Sequence, residues 1–136
     1  MYCTREDIED NFGIINVEKW ADLDNDADQT KIAARIDHAI YIASAQIDGA
    51  LRKTFYVVPL EPNGSYLDPV IVDICAIFAG VYLYEARGVS DFDPDSGQIV
   101  HRLKYNKQYA QDTLQKILLG PLSLDLLKEN HIGPLG

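Results

Sequence analysis

The longest regular pattern in the chain runs from Thr30 to about Lys53. There Ile32, Ile36, Ile40, Ala43, Ile47, Ala50 and Leu51 recur at steps of three and four. That spacing predicts an amphipathic helix with Lys31, Arg35, His38 and Gln46 on its polar face, capped at its start by Asp28 or Thr30. Pro69 to Ala86 is apolar nearly all round and is entered through Asp68-Pro69, a capping carboxylate followed by a proline suited to a first helical position. A helix of that kind belongs at the centre of a bundle. Gln98 to Leu119 carries Ile99, Leu103, Ala110, Leu114, Ile117 and Leu118 on one stripe, with Gly120-Pro121 as its stop. Near the start, Thr4 followed by Asp7 reads as a variant capping box for a helix from Arg5 to Phe12, with Ile8 and Phe12 one turn apart and Gly13 as its end. A further helical turn, Val17 to Ala21, offers Trp20 as a pin onto the core.

Between these stretches the period fails. Phe55 to Leu67 contains Pro59, Pro62 and Asn63-Gly64, which predict an extended segment, with a short hairpin of Phe55 to Leu60 against Ser65 to Leu67 as one form of it. Gly88 to Gly97 holds Asp91, Asp93, Pro94 and Asp95 and reads as a mobile acidic loop. From Leu122 the tail carries Leu124, Leu126, Leu127 and Ile132 without a period. The pattern therefore predicts an all-α fold: a compact helical bundle of about four helices with a short extended or hairpin segment near 55–67. It reads as one domain over residues 1–120 followed by an apolar tail, 121–136.

Composition narrows the function classes. Hydrophobic residues make up 47% and charged residues 24% of the 136 positions, enough apolar side chain for one core without staples. Twelve basic residues against twenty-one acidic ones leave a formal charge of −9, which removes diffuse attraction to phosphate backbones or anionic lipid. The two cysteines, Cys3 and Cys75, resemble neither a disulfide framework nor a metal site, and suit a reducing compartment. The polar, acidic start lacks the features of a secretory signal, so the chain is expected to be made and kept in the cytosol. Val70 to Tyr84 is interrupted by Asp73 and is shorter than the ~20 residues of a membrane span, so it reads as core.

Few residues suggest site chemistry. Asp22, Asp24, Asp26 and Asp28 alternate as in the opening of a calcium loop, but the positions for its glycine and bidentate glutamate hold Gln29 and Arg35, or Ala27 and Ala33. A solvated acidic loop before a helix is the expected reading. Asp37, Asp48 and Asp73 would make a carboxylate metal site only if they converged; otherwise they are expected exposed or paired with Arg35, Arg52 or Arg87. His38, His101 and His131 lie on separate elements, and no nucleophile-elbow, zinc-protease or phosphate-loop motif is present. Tyr82, Tyr84, Tyr105 and Tyr109 are expected to fill the core in preference to forming an interface patch.

The order of short motifs adds a resemblance. Met-Tyr-Cys-Thr-Arg-Glu-Asp-Ile followed by Phe12-Gly13, then Leu23 to Asp28, Ile36-Asp37-His38-Ala39, Ala45 to Leu51, and Asp73 to Ala76 with Tyr82-Leu83-Tyr84, is similar to the Mu-like phage head-to-tail joining protein family. The resemblance covers roughly residues 1–119. It implies a homo-oligomeric connector ring beneath the portal of a tailed phage or prophage, found in the virion and, during assembly, in the host cytoplasm. Its partners would be further copies of itself and the portal and tail-completion proteins. It implies no enzyme activity, cofactor, metal, membrane or specific nucleic-acid partner, although DNA would pass through the ring. The competing readings are a small helical divalent-metal enzyme and a host adaptor module.

Charge suggests how copies would meet. Acids dominate residues 1–30, Glu6, Asp7, Asp10, Asp24 and Asp26 among them, whereas the helix from 98 to 119 carries Arg102, Lys104 and Lys107. Opposite signs on different elements suit head-to-tail contact around a ring.

Overall fold

The computed structural model describes residues 1–52, 54, 56–62, 67–87, 96–120, 122 and 124, the side chains of residues 96–101 excepted. Five helices follow in order: α1 (Arg5–Phe12), α2 (Ile14–Ala21), α3 (Gln29–Leu51), α4 (Pro69–Arg87) and α5 (Ser96–Leu119). No strand occurs among the described residues. Tyr56 and Pro62 are single bridge positions. Most of the second arm of the expected hairpin, the 88–95 part of the acidic loop and most of the tail lie outside the described residues.

Local chemistry accounts for most of the boundaries. At α1, the Thr4 hydroxyl accepts the Asp7 N–H at 3.3 Å and the Asp7 carboxylate accepts the Thr4 N–H at 2.8 Å, so the box closes reciprocally. Gly13, at φ +90, donates its N–H to the Glu9 carbonyl and at once caps α2, a backbone state that side chains disfavour. This turn starts α2 three residues earlier than the sequence pattern suggests. Asp28 caps α3 by accepting the Thr30 and Lys31 N–H groups, and Asp68 caps α4 by accepting the Val70 N–H at 2.9 Å.

Helix α4 packs against each of the other four helices. By length and composition it is apolar enough to cross a membrane, but its position is the middle of the bundle, with Ile71, Ile74, Cys75, Ile77, Ala79 and Leu83 buried. Gly80 marks the closest approach: a Cβ there would sit 2.1 Å from the Phe12 ring. Phe12 is held in turn by Trp20 at a ring separation of 5.5 Å, and Trp20 meets Tyr84 at 5.2 Å, both edge to face. Trp20 therefore pins the α1–α2 unit onto α4, as its aromatic character suggests.

The residues before α1 form a hook that the pattern of hydrophobicity does not anticipate. Tyr2 and Cys3 are buried. The Tyr2 N–H donates to the Ser44 hydroxyl, while its phenol donates to Asp48 and accepts the Leu60 N–H at 2.7 Å. Burial, with the adjacent Asp48 carboxylate, raises the phenol well above its ordinary pKa. The two cysteines, far apart in sequence, meet here: the Cys3 and Cys75 sulfurs lie 2.9 Å apart as free thiols. Of the tail, Leu124 is buried in the core and donates its N–H to the Tyr56 phenol.

Candidate subunit-contact surface

The acidic stretch after α2 uses its carboxylates locally. Asp22 accepts the N–H groups of Asp26 and Ala27, Asp26 accepts that of Asp28, and Asp28 caps α3. Asp24 pairs with Arg35 at 2.9 Å and Lys31 at 3.4 Å, and Lys31 reaches Asp26 at 2.8 Å. Hydrogen bonds from Arg35 and Lys31 hold Asp24 below its ordinary pKa, and Lys31 does the same for Asp26. Two of the acids expected to face a neighbouring subunit are thus engaged within their own chain. Arg87 closes the loop from the other side, donating to the Lys19 and Asp22 carbonyls and to the Asn25 side chain.

Arg35 and Arg87 are therefore occupied elsewhere. Of the two states expected for Asp37, Asp48 and Asp73, exposed or paired with arginine, the structure shows exposure at Asp37 and no arginine pairing at any of the three among the described residues. Asp37 is exposed, Asp48 accepts from Tyr2, and Asp73 lines a groove. Among the described residues no three His, Cys, Asp or Glu side chains form a group able to hold a metal. The convergence required by the metal-enzyme reading is absent at these aspartates. His38 stands between the Tyr41 and Tyr82 rings at 6.4 and 6.0 Å.

Helix α5 divides its basic residues between two flanks. Its buried side is Leu103, Ala110, Leu114 and Ile117. With 3.6 residues per turn, Arg102, Tyr105, Tyr109 and Lys116 fall within a stripe about 60° wide on one flank, and Lys104 and Lys107 on the other. Lys107 pairs with Glu85 of α4 at 3.2 Å. Arg102, Lys104, Glu6 and Asp10 are exposed and make no salt bridge among the described residues. Asp7 is committed to the α1 capping box.

The tyrosines divide in the same way, which corrects the expectation that all four fill the core. Tyr84 is buried and Tyr82 half-buried, but Tyr105 is 73% and Tyr109 51% exposed. Tyr109 borders an open groove of about 900 Å³ between α1, α4 and α5. Asp7, Asp10 and Asn11 form one wall, Tyr109, Thr113 and Lys116 the other, and Val70, Val72, Asp73 and Ala76 lie along α4 between them, with Leu67 and Leu122 at the margin. The acidic helix and the basic helix thus flank one groove of the same molecule. Past the end of this wall, Ile14 and Ile15 at the α1–α2 corner are 63% and 82% exposed. Apolar floor, carboxylate wall and tyrosine–lysine wall together suit a protein segment better than a small anion.

The class of protein follows from this arrangement: an all-α helical bundle whose distinctive chemistry lies on its outer faces. The chain belongs to the bacteriophage Mu Gp36 family, whose profile matches residues 2–132, nearly the whole sequence. It is a bacteriophage protein. No curated protein matches it closely enough to count as a relative.

Proposed function

We propose that this phage protein is a head–tail connector subunit, structural and not catalytic, which assembles as a homo-oligomeric ring under the portal and joins it to tail-completion proteins. The observation that carries this reading is the exposed stripe of Arg102, Tyr105, Tyr109 and Lys116, set across a groove from Asp10, which makes no salt bridge among the described residues. Exposed tyrosine and arginine are the residues on which protein interfaces concentrate their binding energy. In the ring, the groove edge that carries this stripe receives a different face of the next subunit, and contact of two different patches closes a ring when the rotation permits. A net charge of −9 per subunit suits a channel through which duplex DNA slides without sticking. Lys104 and Lys107 are secondary contributors, since they occupy the other flank and Lys107 is already paired.

The test is complementation in a phage lacking this gene. With the gene absent, filled heads and free tails should accumulate unjoined, and the wild-type chain should restore joining. Arg102→Glu combined with Tyr105→Ala should fold normally yet fail to restore it. Normal particles from that double variant would refute the proposed contact; heads and tails that join without the gene would refute the connector role itself.

A further inference from the structure

Cys3 and Cys75 are 72 positions apart in sequence, yet their sulfurs meet at 2.9 Å, closer than unbonded sulfurs ordinarily pack. Their meeting is held from several sides. The Tyr2 N–H is fixed to Ser44 of α3, the Tyr2 phenol to Asp48 and to the Leu60 N–H, and the Ser44 hydroxyl lies 3.6 Å from the Cys75 sulfur. Both thiols are buried. We propose that Cys3 and Cys75 are an intrachain disulfide site, open in the reduced protein and closed by a small oxidant of the peroxide class, which staples the N-terminal hook to the central helix.

Closure to a bond of about 2.05 Å asks the sulfurs to move less than about 1 Å. Cys3 precedes the first turn of α1, where the backbone is extended and can absorb that movement, while Cys75 is fixed in α4. The S–H of Cys3 donates to Cys75, which raises Cys3 above the ordinary thiol range and lowers Cys75, so Cys75 is the more readily ionised of the two and the one that attacks. The Cys75 thiolate attacks one oxygen of the peroxide, the O–O bond breaks, and the departing hydroxide takes up a proton to leave water and a Cys75 sulfenic acid. The Cys3 sulfur then displaces the sulfenic hydroxyl, which leaves with the Cys3 proton as a second water. Two thiols are oxidised, one peroxide is reduced, and no further reagent is needed. Burial favours this small oxidant over bulky disulfides and disfavours linkage between chains.

The full-length protein is treated in its native state with hydrogen peroxide, quenched with catalase, unfolded in guanidinium with N-ethylmaleimide, and weighed intact. The expected product carries no maleimide, is lighter than the untreated chain by two hydrogen atoms, yields one peptide pair joined through residues 3 and 75, runs as a monomer without reductant, and reverts with dithiothreitol. Because the bond closes a long loop, its melting temperature should rise by about 10 °C. Cys3→Ser, whose position lies outside every helix, should keep the helical circular dichroism and lose none of its hydrogen. Maleimide on both cysteines after peroxide, oxygen added to sulfur without the joined peptide, or a disulfide between two chains would each overturn the proposal. The wild-type mass and the joined peptide decide the matter even if the serine variant does not fold.

Discussion

Gly80→Ala offers the sharpest test of how the N-terminal helices sit on the core. In the interior of a helix, alanine is ordinarily favoured over glycine by about 1 kcal/mol. Here the added Cβ would fall 2.1 Å from Phe12 Cε2 and 2.4 Å from Cδ2, well inside the distance at which real carbons meet. The ring has little room to yield, since Phe12 is buried with Trp20 packed edge-on against it. Forcing such a group into a filled core costs about 1–3 kcal/mol, and an overlap this deep belongs to the upper part of that range, about 2–3 kcal/mol, so after the propensity gain of about 1 kcal/mol a net loss of about 1–2 kcal/mol should remain. Thermal and urea denaturation of Gly80→Ala, Phe12→Leu and the double variant form a cycle. The double variant should be more stable than the sum of the two single losses predicts, by at least about 0.5 kcal/mol, because the smaller side chain removes the clash. A Gly80→Ala protein as stable as wild type, or additive behaviour in the cycle, would show that Phe12 does not rest on Gly80.

Two further predictions address the hook and the acidic loop. Tyr2→Phe should cost about 1–3 kcal/mol in urea denaturation, because it leaves the Leu60 N–H without its acceptor and Asp48 without its donor; a loss below about 0.5 kcal/mol would mean the hook does not hold. Asp24 and Asp26 have folded-state pKa values lowered by Arg35 and Lys31, so the stability they contribute is present above the ordinary carboxylate pKa and lost as pH falls through the lowered one. Melting curves between pH 5 and pH 2 should therefore fall less steeply for Asp24→Asn/Asp26→Asn than for wild type, and identical slopes would count against the pairing.

Much of the fold is legible because it is local. The steps of three and four in α3, the all-round apolarity of α4 and the caps at Thr4, Asp28 and Asp68 each depend on residues within a turn of one another. The hook is not local. Tyr2 and Cys3 show no period, and they find partners 42 to 72 positions away that only the assembled bundle brings near. On the surface, residue type and helical angle point to different places. Tyr105 lies about 160° around the helix from Leu103, so its exposure follows from the same periodicity that identifies α5, whereas tyrosine's habit of filling cores points the other way. Arg35 and Arg87 were natural partners for the helical aspartates by charge alone, but Asp24 and the carbonyls at Lys19 and Asp22 stand closer once the loop has folded.

Since every other helix rests on α4, none of them can swing outward without uncovering part of that helix's apolar side. Local opening of the bundle should then approach the free energy of global unfolding, with the α4 amides exchanging last of all. Among the described helices this packing leaves no hinge with which to adapt to different neighbours. In the proposed ring, accommodation on binding would then fall to side-chain rotamers on the surface, Tyr105 and Tyr109 among them, and each copy would dock as a rigid block whose own shape fixes the angle to the next.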